Sequence, residues 1–191
     1  MQELRTALLV LLALTGVTGV AYPLAVTGVA QLLFPEAANG SLLRLDGRVV
    51  GSELIGQPFD DPRYFWSRPS AAGGFPYNAG GSAGSNLGPT SDALRDAVRA
   101  RVEALRAADP GNPAPVPVDL VTASASGLDP HLSPAAARYQ AARVARVRGL
   151  DPAGIEALIE AHTEGRWLGL LGEPRVNALR LNLALDGHTT P

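Results

Sequence analysis

The sequence contains no cysteine and no lysine. The absence of cysteine excludes disulfides, thiolate metal sites, iron–sulfur clusters and thiol nucleophiles. The absence of lysine excludes a Walker-type phosphate loop, in which a lysine reaches the nucleotide phosphates, and no G-x-G-x-x-G segment occurs either. We therefore predict that the chain neither hydrolyses nucleotides by itself nor carries a cofactor of its own.

Clusters of like charge are also missing. The formal net charge is -2, and the 16 basic residues, all arginine, and 18 acidic residues are spread along the chain. This balance argues against a nucleic-acid partner. The three histidines, His131, His162 and His188, form no i, i+4 pair and join no carboxylate cluster, so no metal site is predicted. Asp60-Asp61 precedes a proline, which is more typical of a turn than of a cation site.

One long stretch has no charge at all. From Thr6 to Phe34 the chain runs for 29 residues without a charged side chain, whereas crossing the hydrocarbon of a bilayer takes only about 20 residues. We predict a transmembrane helix over residues 6–34, a short N-terminus of residues 1–5 and a soluble domain over residues 35–191. A cleaved signal peptide is the alternative, although its apolar region would be only about 7–15 residues long.

The predicted span contains several small residues and one proline. Thr15, Gly16 and Gly19 present small side chains, which allow a second helix to approach closely in lipid. We therefore expect them to contact a partner helix. Pro23 removes one backbone donor, so a bend or a loosened turn is expected near it.

Turn dipeptides and helix caps divide the soluble part. Asn39-Gly40 and Asp46-Gly47 are typical hairpin turns, and the short apolar runs around them predict strands. Helices are predicted from Ser91, from Ser133-Pro134 to a stop at Gly149, and from Asp151-Pro152.

Two further segments are predicted as strands. Val116–Thr122 is a short apolar run, and from Val176 onward leucines alternate with more polar residues at positions 179, 181, 183 and 185. The pattern as a whole predicts an α+β (α/β-type) fold: a single soluble domain with one N-terminal transmembrane helix.

A long segment without periodicity runs from Phe59 to Pro89 and carries most of the aromatic residues of the chain. A structureless segment of this length in a compact domain is usually functional or flexible, and its aromatics argue against disorder. We interpret it as a partner-facing loop, with Tyr64, Trp66 and Tyr77 as the expected contact residues.

Two motifs are typical of chemistry but lack its usual context. Residues 80–84 match the G-x-S-x-G nucleophile elbow at Ser82, yet no strand precedes them and no helix follows before Ser91. An anchored serine hydrolase is therefore only a remote alternative, and no catalytic residue is predicted.

The second motif is the turn beginning at Ser124. Ser124, Ser126 and Ser133 lie before a helix start and would hold an anion there through hydroxyl and backbone donors. Gln140 on the same helix would add a polar contact. The simpler interpretation of the serines is mutual capping of the turn and the helix, and the simpler interpretation of Gln140 is a solvent-facing position.

A series of segments, in order and correctly spaced, resembles the KdpC family, the C subunits of Kdp potassium-transporting P-type ATPases. The segments are "GSELIGQPF" from Gly51, "YFWSRPSA" from Tyr64, "YNAGGSAGSNLGP" from Tyr77, "SASGLDPHLSP" from Ser124, "RVARVRGL" from Arg143 and "VNALRLNLALD" from Val176. Together with the N-terminal span, the resemblance covers nearly the full chain.

The resemblance implies a subunit of the bacterial inner membrane with a cytoplasmic N-terminus and an extracytoplasmic domain. It implies assembly with a channel-like A subunit, a P-type ATPase B subunit and a small single-span F subunit. The chain would then be an accessory, non-conducting subunit that stabilises the complex and helps to couple ATP hydrolysis to K+ import, and it would not be an enzyme by itself.

The family is also described as a catalytic chaperone that increases ATP binding by the ATPase subunit. That alternative implies nucleotide contacts by this chain, for which Ser124, Ser126, Gly127 and Gln140 are the candidates. It conflicts with an external domain, which cytoplasmic ATP does not reach, so ATP is expected to act through the partner ATPase subunit.

Overall fold

A computed structural model describes residues 1–187 of the chain, so His188 lies outside the described residues. The chain divides into two compact units, Met1–Leu42 and the remainder from Leu43 onward.

The first unit is dominated by one long helix. Helix α1 covers Gln2–Leu14, a π-helical turn covers Thr15–Ala21, and α2 covers Tyr22–Leu33. Together they form a 32-residue helix, Gln2–Leu33, which by length and composition is able to cross a membrane. It begins four residues earlier than the predicted span, because charged side chains at its end are compatible with helical structure. The short helix α3 follows at Pro35–Ala38.

The π-helical turn lies directly before Pro23. Proline has no N–H to donate to residue 19, and its ring would crowd the carbonyl of that residue. The helix widens instead, and the Tyr22 N–H donates to the Val17 carbonyl five residues earlier. The predicted loosened turn near Pro23 is therefore confirmed.

Next in the chain is a two-stranded hairpin of β1, Leu42–Leu45, and β2, Arg48–Ser52. Asp46 and Gly47 between them both have positive φ, +49° and +78°, as a type I′ turn requires. The predicted hairpin turn at Asp46-Gly47 is confirmed. Asn39-Gly40 instead ends α3, where Gly40 has a φ of +88°.

The predicted helices are present. They are α4 at Asp92–Ala108, α5 at Pro134–Arg148 and α6 at Pro152–Ala161. The Ser133 side chain accepts a hydrogen bond from the Ala136 N–H at 3.0 Å and so caps α5. Gly149 ends α5 with a φ of +67°, the left-handed conformation that favours glycine.

A three-stranded antiparallel sheet lies beside these helices. Its strands are β3 at His131–Leu132, β4 at Thr163–Glu164 and β5 at Arg175–Asn177, in the order β3-β5-β4. Val176 is paired with Leu132 on one side and Thr163 on the other. Helix α7 covers Ala178–Leu185, and 3₁₀ turns lie at Ala79–Gly81 and Val118–Leu120. The predicted α+β class is confirmed.

Two predicted strands are wrong. The segment Val116–Thr122 contains the 3₁₀ turn Val118–Leu120 instead of a strand, because Pro117 has no N–H for a strand ladder. All four alternating leucines after Val176 lie in α7, which has no β-branched side chain and in which alanine, leucine and arginine are good helix formers. The Asn177 side chain caps α7 by accepting from the Arg180 N–H at 3.1 Å.

The core of the second unit lies between the sheet and helices α5, α6 and α7. Its large side chains are almost completely buried, at 0–1% exposure: Phe65, Leu132, Val144, Ile159, Val176 and Leu181. Three large polar side chains are buried with them, Arg143, Gln140 and Asn182. Because buried polar groups need hydrogen-bond partners, each of these three side chains is expected to bind a specific group inside the domain.

Candidate functional site

The long aromatic loop is ordered by residues that point into the core. Phe65 is completely buried and Tyr77 is 8% exposed. Apart from the 3₁₀ turn Ala79–Gly81, residues 56–90 form no helix or strand. Their order therefore depends on turn hydrogen bonds within the loop and on contacts with the rest of the domain, and not on a regular hydrogen-bond ladder.

Two side-chain amides hold the backbone of this loop. The Asn182 amide accepts from the Phe65 N–H at 2.9 Å and donates to the Phe65 carbonyl at 3.0 Å. The Gln140 amide does the same for Trp66, at 2.8 Å and 3.1 Å. Each amide thus replaces the pair of hydrogen bonds that a neighbouring strand would make. Helices α5 and α7 therefore fix two consecutive loop residues.

Arg143 on α5 extends this arrangement. Its guanidinium donates to the carbonyls of Pro62 and Tyr64, the latter at 3.0 Å, and to Gln140 Oε1 at 2.7 Å. It also lies 4.8 Å from the centre of the Trp66 ring, within the range of a cation–π contact. Burial lowers the pKa of Arg143 to about 10. Loop carbonyls and an aromatic face thus solvate this buried cation.

Arg148 closes the other end of the same segment. It donates to the Arg63 carbonyl at 2.7 Å and pairs with Asp186 at 2.6 Å. Its guanidinium lies 4.7 Å from the Tyr64 ring centre, and the Tyr64 hydroxyl donates to Asp186 at 2.8 Å. The start of the loop is therefore fastened to the C-terminal end of the domain.

The predicted partner-contact aromatics all make contacts inside the domain. Tyr64 binds Asp186, the Trp66 indole N–H donates to the Asp61 carbonyl at 3.0 Å, and the Tyr77 hydroxyl donates to the Arg68 carbonyl. Their contact with a partner stays a prediction. In the span, Thr15, Gly16 and Gly19 are exposed within the π-helical turn, and helix contact there also stays a prediction.

The solvent-facing position, which the sequence favours for Gln140, is wrong. The residue is 1% exposed, and its amide is used by Trp66 and Arg143. The burial of Gln140 was not predictable from the helical pattern, because α5 has buried residues around most of its circumference and no clear polar face. The signal that was available is the i, i+3 spacing of Gln140 and Arg143, which places both on one helix face.

The turn at Ser124 is held by its own hydroxyls. Ser124 Oγ accepts from the Gly127 N–H at 2.9 Å, and Ser126 Oγ accepts from the Leu128 N–H at 3.1 Å. Gly127 has a φ of +67°, and a Cβ added to it would lie 2.6 Å from the Ala72 backbone nitrogen. The structure thus brings Ser124, Ser126 and Gly127 together in one tight turn, whereas the Gln140 amide binds the backbone of Trp66.

Ser133 does not present a free anion site. Its N–H donates to Asp119 Oδ2 at 2.8 Å and its hydroxyl donates to Oδ1 of the same carboxylate at 3.2 Å. The carboxylate occupies the position at the α5 N-terminus that an external anion would take. Capping within the domain, the simpler interpretation of Ser133 from the sequence, is the observed arrangement.

Ser82 lacks the geometry of a nucleophile elbow. It follows a 3₁₀ turn rather than a strand, and its hydroxyl donates to the Ser126 carbonyl at 3.0 Å. An elbow requires the serine on a strand-to-helix turn with a general base in reach. The Ser82 hydroxyl instead links the long loop to the serine turn by a hydrogen bond. A second such link comes from the Ser70 hydroxyl, which donates to the Gly127 carbonyl at 2.6 Å.

Asp129 is the centre of a small charged cluster. It pairs with Arg68 at 2.6 Å and accepts from the His131 N–H at 3.0 Å, with the His131 ring 3.3 Å away. Burial by itself raises the pKa of Asp129, but the hydrogen bonds from His131 and Arg68 outweigh it and lower the pKa to about 2. Within residues 1–187, no group of three His, Asp or Glu side chains is arranged to hold a metal ion.

Asp61 serves a turn, as its position before Pro62 predicts. It accepts from the Arg63 N–H at 2.9 Å and pairs with the Arg63 side chain at 2.7 Å. A different surface feature has no counterpart among the sequence predictions. It is the run of exposed apolar residues between Trp167 and Leu171, which has no periodic pattern or motif that would have singled it out.

These observations define a class of protein in which one helix of membrane-spanning length is followed by a folded domain. The buried polar residues of that domain, Gln140, Arg143 and Asn182, bind the backbone of its long loop. The sequence matches the family described as K+-transporting ATPase, c chain (KdpC), over residues 4–187. The chain therefore belongs to the KdpC family.

Curated relatives agree with this assignment. Potassium-transporting ATPase KdpC subunits from Sorangium cellulosum and Methylococcus capsulatus are 67% and 66% identical to this chain. The alignments cover 97% of both chains for the former, and 95% of this chain and 96% of the relative for the latter. The corresponding subunit from Polaromonas naphthalenivorans is 68% identical, over 96% of this chain and 93% of its own.

Proposed function

We propose that this chain is an accessory, non-conducting subunit of a potassium-transporting ATPase complex, in which it stabilises the assembly and helps to couple ATP hydrolysis to K+ import. The observation that carries the proposal is the family match over residues 4–187, which includes both the apolar helix and the domain. The chain contains no lysine, so the D-K-T-G-T phosphorylation motif of a P-type pump must reside on another subunit.

The partners in this proposal are a channel-like A subunit, a P-type ATPase B subunit and a small single-span F subunit. Helix Gln2–Leu33 anchors the chain in the bacterial inner membrane, with residues 1–5 in the cytoplasm and the domain outside. The exposed small residues of the π-helical turn support close approach of another helix in lipid.

Growth under potassium limitation tests the function. Deleting this chain from a host that depends on the complex is expected to abolish growth at micromolar K+, and the full-length chain is expected to restore it. A matched control replaces Gln2–Leu33 with an unrelated apolar helix of equal length. Unimpaired growth of the deletion strain, with K+-stimulated ATPase activity retained in its membranes, would contradict the proposal.

We further propose that ATP acts through the B subunit and not through this chain. Three contacts support this: the Gly127 and Leu128 N–H groups donate to the Ser124 and Ser126 hydroxyls, and the amide of Gln140 is occupied by Trp66. Arg68, which lines the same surface depression as Ser124 and Ser126, is paired with Asp129. The backbone donors of Gly127 and Leu128 and the Gln140 amide are therefore already used within the domain and are not available to a nucleotide.

The measurement is photolabelling with an azido-ATP. It is carried out on the full chain in detergent and, as a second sample, on the assembled complex. Label is expected on the B subunit and absent from this chain. ATP-competable label on this chain, lost in Ser126→Ala, would instead support the nucleotide-binding chaperone.

A further inference from the structure

The segment between the long apolar helix and strand β1 contains the dipeptide Asn39-Gly40. Asparagine followed by glycine is the most reactive context for deamidation, because glycine has no side chain to hinder attack by its own backbone nitrogen. It occurs once in the sequence, and the other asparagines precede alanine, leucine or proline. Asn39 is exposed, so water reaches it. The chain thus carries one chemically reactive pair, directly after the apolar helix and α3.

The side-chain amide of Asn39 is held by the apolar helix and by α3. Its nitrogen donates to the Pro35 carbonyl at 2.7 Å and to Gln31 Oε1 at 3.1 Å. The Gln31 amide nitrogen donates in return to Asn39 Oδ1 at 3.3 Å. Both the nitrogen and the oxygen of the Asn39 amide therefore have partners, which fix the orientation of the group that deamidation would attack.

The attacking nitrogen, that of Gly40, is engaged as well. The Gly40 N–H donates to the Ala37 carbonyl at 3.1 Å, and the Ser41 N–H donates to the Glu36 carbonyl at 3.0 Å. With the Gly40 φ of +88°, these two hydrogen bonds form a Schellman motif at the end of α3. Attack requires the Gly40 nitrogen to lose its proton and to approach the Asn39 side chain, and the motif opposes both steps.

We propose that Asn39-Gly40 is a deamidation site that the Gln31 amide and the end of α3 keep unreactive until this segment opens. In the reaction, the Gly40 nitrogen gives up its proton and forms a bond with Asn39 Cγ. The bond from Cγ to Nδ2 breaks, and the leaving nitrogen takes up a proton and departs as ammonia. Water then opens the cyclic imide at either carbonyl, which gives aspartate or isoaspartate. Water is the only co-reactant, and no group is oxidised or reduced.

The product does not restore the contacts of the amide. A carboxylate at position 39 has no N–H, so the hydrogen bonds to the Pro35 carbonyl and to Gln31 Oε1 are lost, and oxygen faces oxygen at both places. Only the Gln31 donor keeps its partner. Isoaspartate also adds one carbon to the main chain within the Schellman motif. The modification therefore works in one direction and loosens the end of α3 from Gln31.

The test compares deamidation rates of the full chain in mild detergent at mildly alkaline pH. Peptide mass spectrometry follows the conversion of Asn39, and a synthetic peptide of residues 36–42 gives the rate without protection. Gln31→Met removes both contacts to Asn39 with little change in side-chain volume. Gln31→Glu keeps an acceptor for the Asn39 amide. Thr27→Val is the control, one turn earlier on the same helix.

Asn39 in the native chain is expected to react at least about tenfold more slowly than in the peptide, because hydrogen bonds of its side chain and of the Gly40 backbone have to open first. Gln31→Met is expected to raise the native rate by about threefold to tenfold, the effect of losing one or two exposed hydrogen bonds. Gln31→Glu is expected to fall between Gln31→Met and the wild type, and Thr27→Val to match the wild type.

A native rate equal to that of the peptide overturns the proposal, and so does a Gln31→Met rate equal to that of the wild type. A Thr27→Val rate as high as that of Gln31→Met also overturns it, because general loosening of the helix would then set the rate. The measurement needs no partner subunit, so its outcome is independent of the proposed function.

Discussion

The Gln140 amide offers the sharpest test of how the loop is held. Gln140→Met keeps a similar side-chain volume and removes all polar contacts, so packing changes little. The Trp66 N–H, the Trp66 carbonyl and one Arg143 N–H each lose a partner. A buried group left without a hydrogen bond costs about 1–3 kcal/mol. Because Trp66 is only half-buried, we expect a total loss near the low end, about 3–5 kcal/mol.

Gln140→Glu is the matched control. A carboxylate at this position still accepts from the Trp66 N–H and forms a charge-assisted hydrogen bond with Arg143, and the donors to the Trp66 and Ala136 carbonyls are lost. We expect it to cost about 1 kcal/mol. The order of stability is therefore wild type, then Gln140→Glu, then Gln140→Met, and the last two differ by at least about 2 kcal/mol.

Tryptophan fluorescence measures this directly. The chain has two tryptophans, so a Trp167→Phe background leaves Trp66 as the reporter of its own loop. Urea unfolding of the full chain in mild detergent gives the free energies. A Gln140→Met variant within about 0.5 kcal/mol of its parent, or a glutamate variant less stable than the methionine one, would refute the reasoning.

Two further predictions concern the serine turn and the charged cluster. Gly127→Ala meets the Ala72 backbone at 2.6 Å in a positive-φ position, whereas Gly149→Ala, at the same φ of +67°, has open space. Thermal unfolding should show that Gly149→Ala lowers the free energy of unfolding by about 1 kcal/mol and that Gly127→Ala lowers it by at least twice as much. Equal decreases would show that the loop around Ala72 rearranges without a loss of stability. The Asp129 pKa is lowered from its ordinary 3.8 to about 2, so the carboxylate contributes stability above pH 4 that disappears as pH falls from about 4 to about 2. Allowing for solvent screening, the contribution is about 1 kcal/mol, and Asp129→Asn should remove this pH dependence; an unaltered acid profile in that variant would exclude Asp129 as its source.

Local signals in the sequence were sufficient for several elements. Ser133-Pro134, Gly149 and Asp46-Gly47 each specify backbone geometry through their own side chains or through the lack of one, so the elements that they bound are confirmed. The leucines after Val176 satisfied a strand period, but an Asn177 cap and strong helix formers favoured a helix. Alternation of leucines over a short run does not discriminate between the period of a β-strand and that of an α-helix.

The fastening of the loop was not predictable in the same way. Asn182 binds Phe65 across 117 residues of sequence, and Gln140 binds Trp66 across 74. A polar residue that will be buried against a distant backbone has the same local pattern as one that will face solvent. Family resemblance supplied the function, whereas Gln140, Arg143 and Asn182 required the fold.

The central claim is that this chain works as a membrane-anchored subunit of a potassium-transporting ATPase. Affinity purification of the tagged full-length chain from native membranes in mild detergent tests it most directly, with mass spectrometry of every copurifying protein. We predict recovery of a P-type ATPase subunit and a channel-like subunit, together with K+-stimulated ATP hydrolysis by the eluate. Recovery of the chain alone, or its release from membranes by carbonate, would contradict the account.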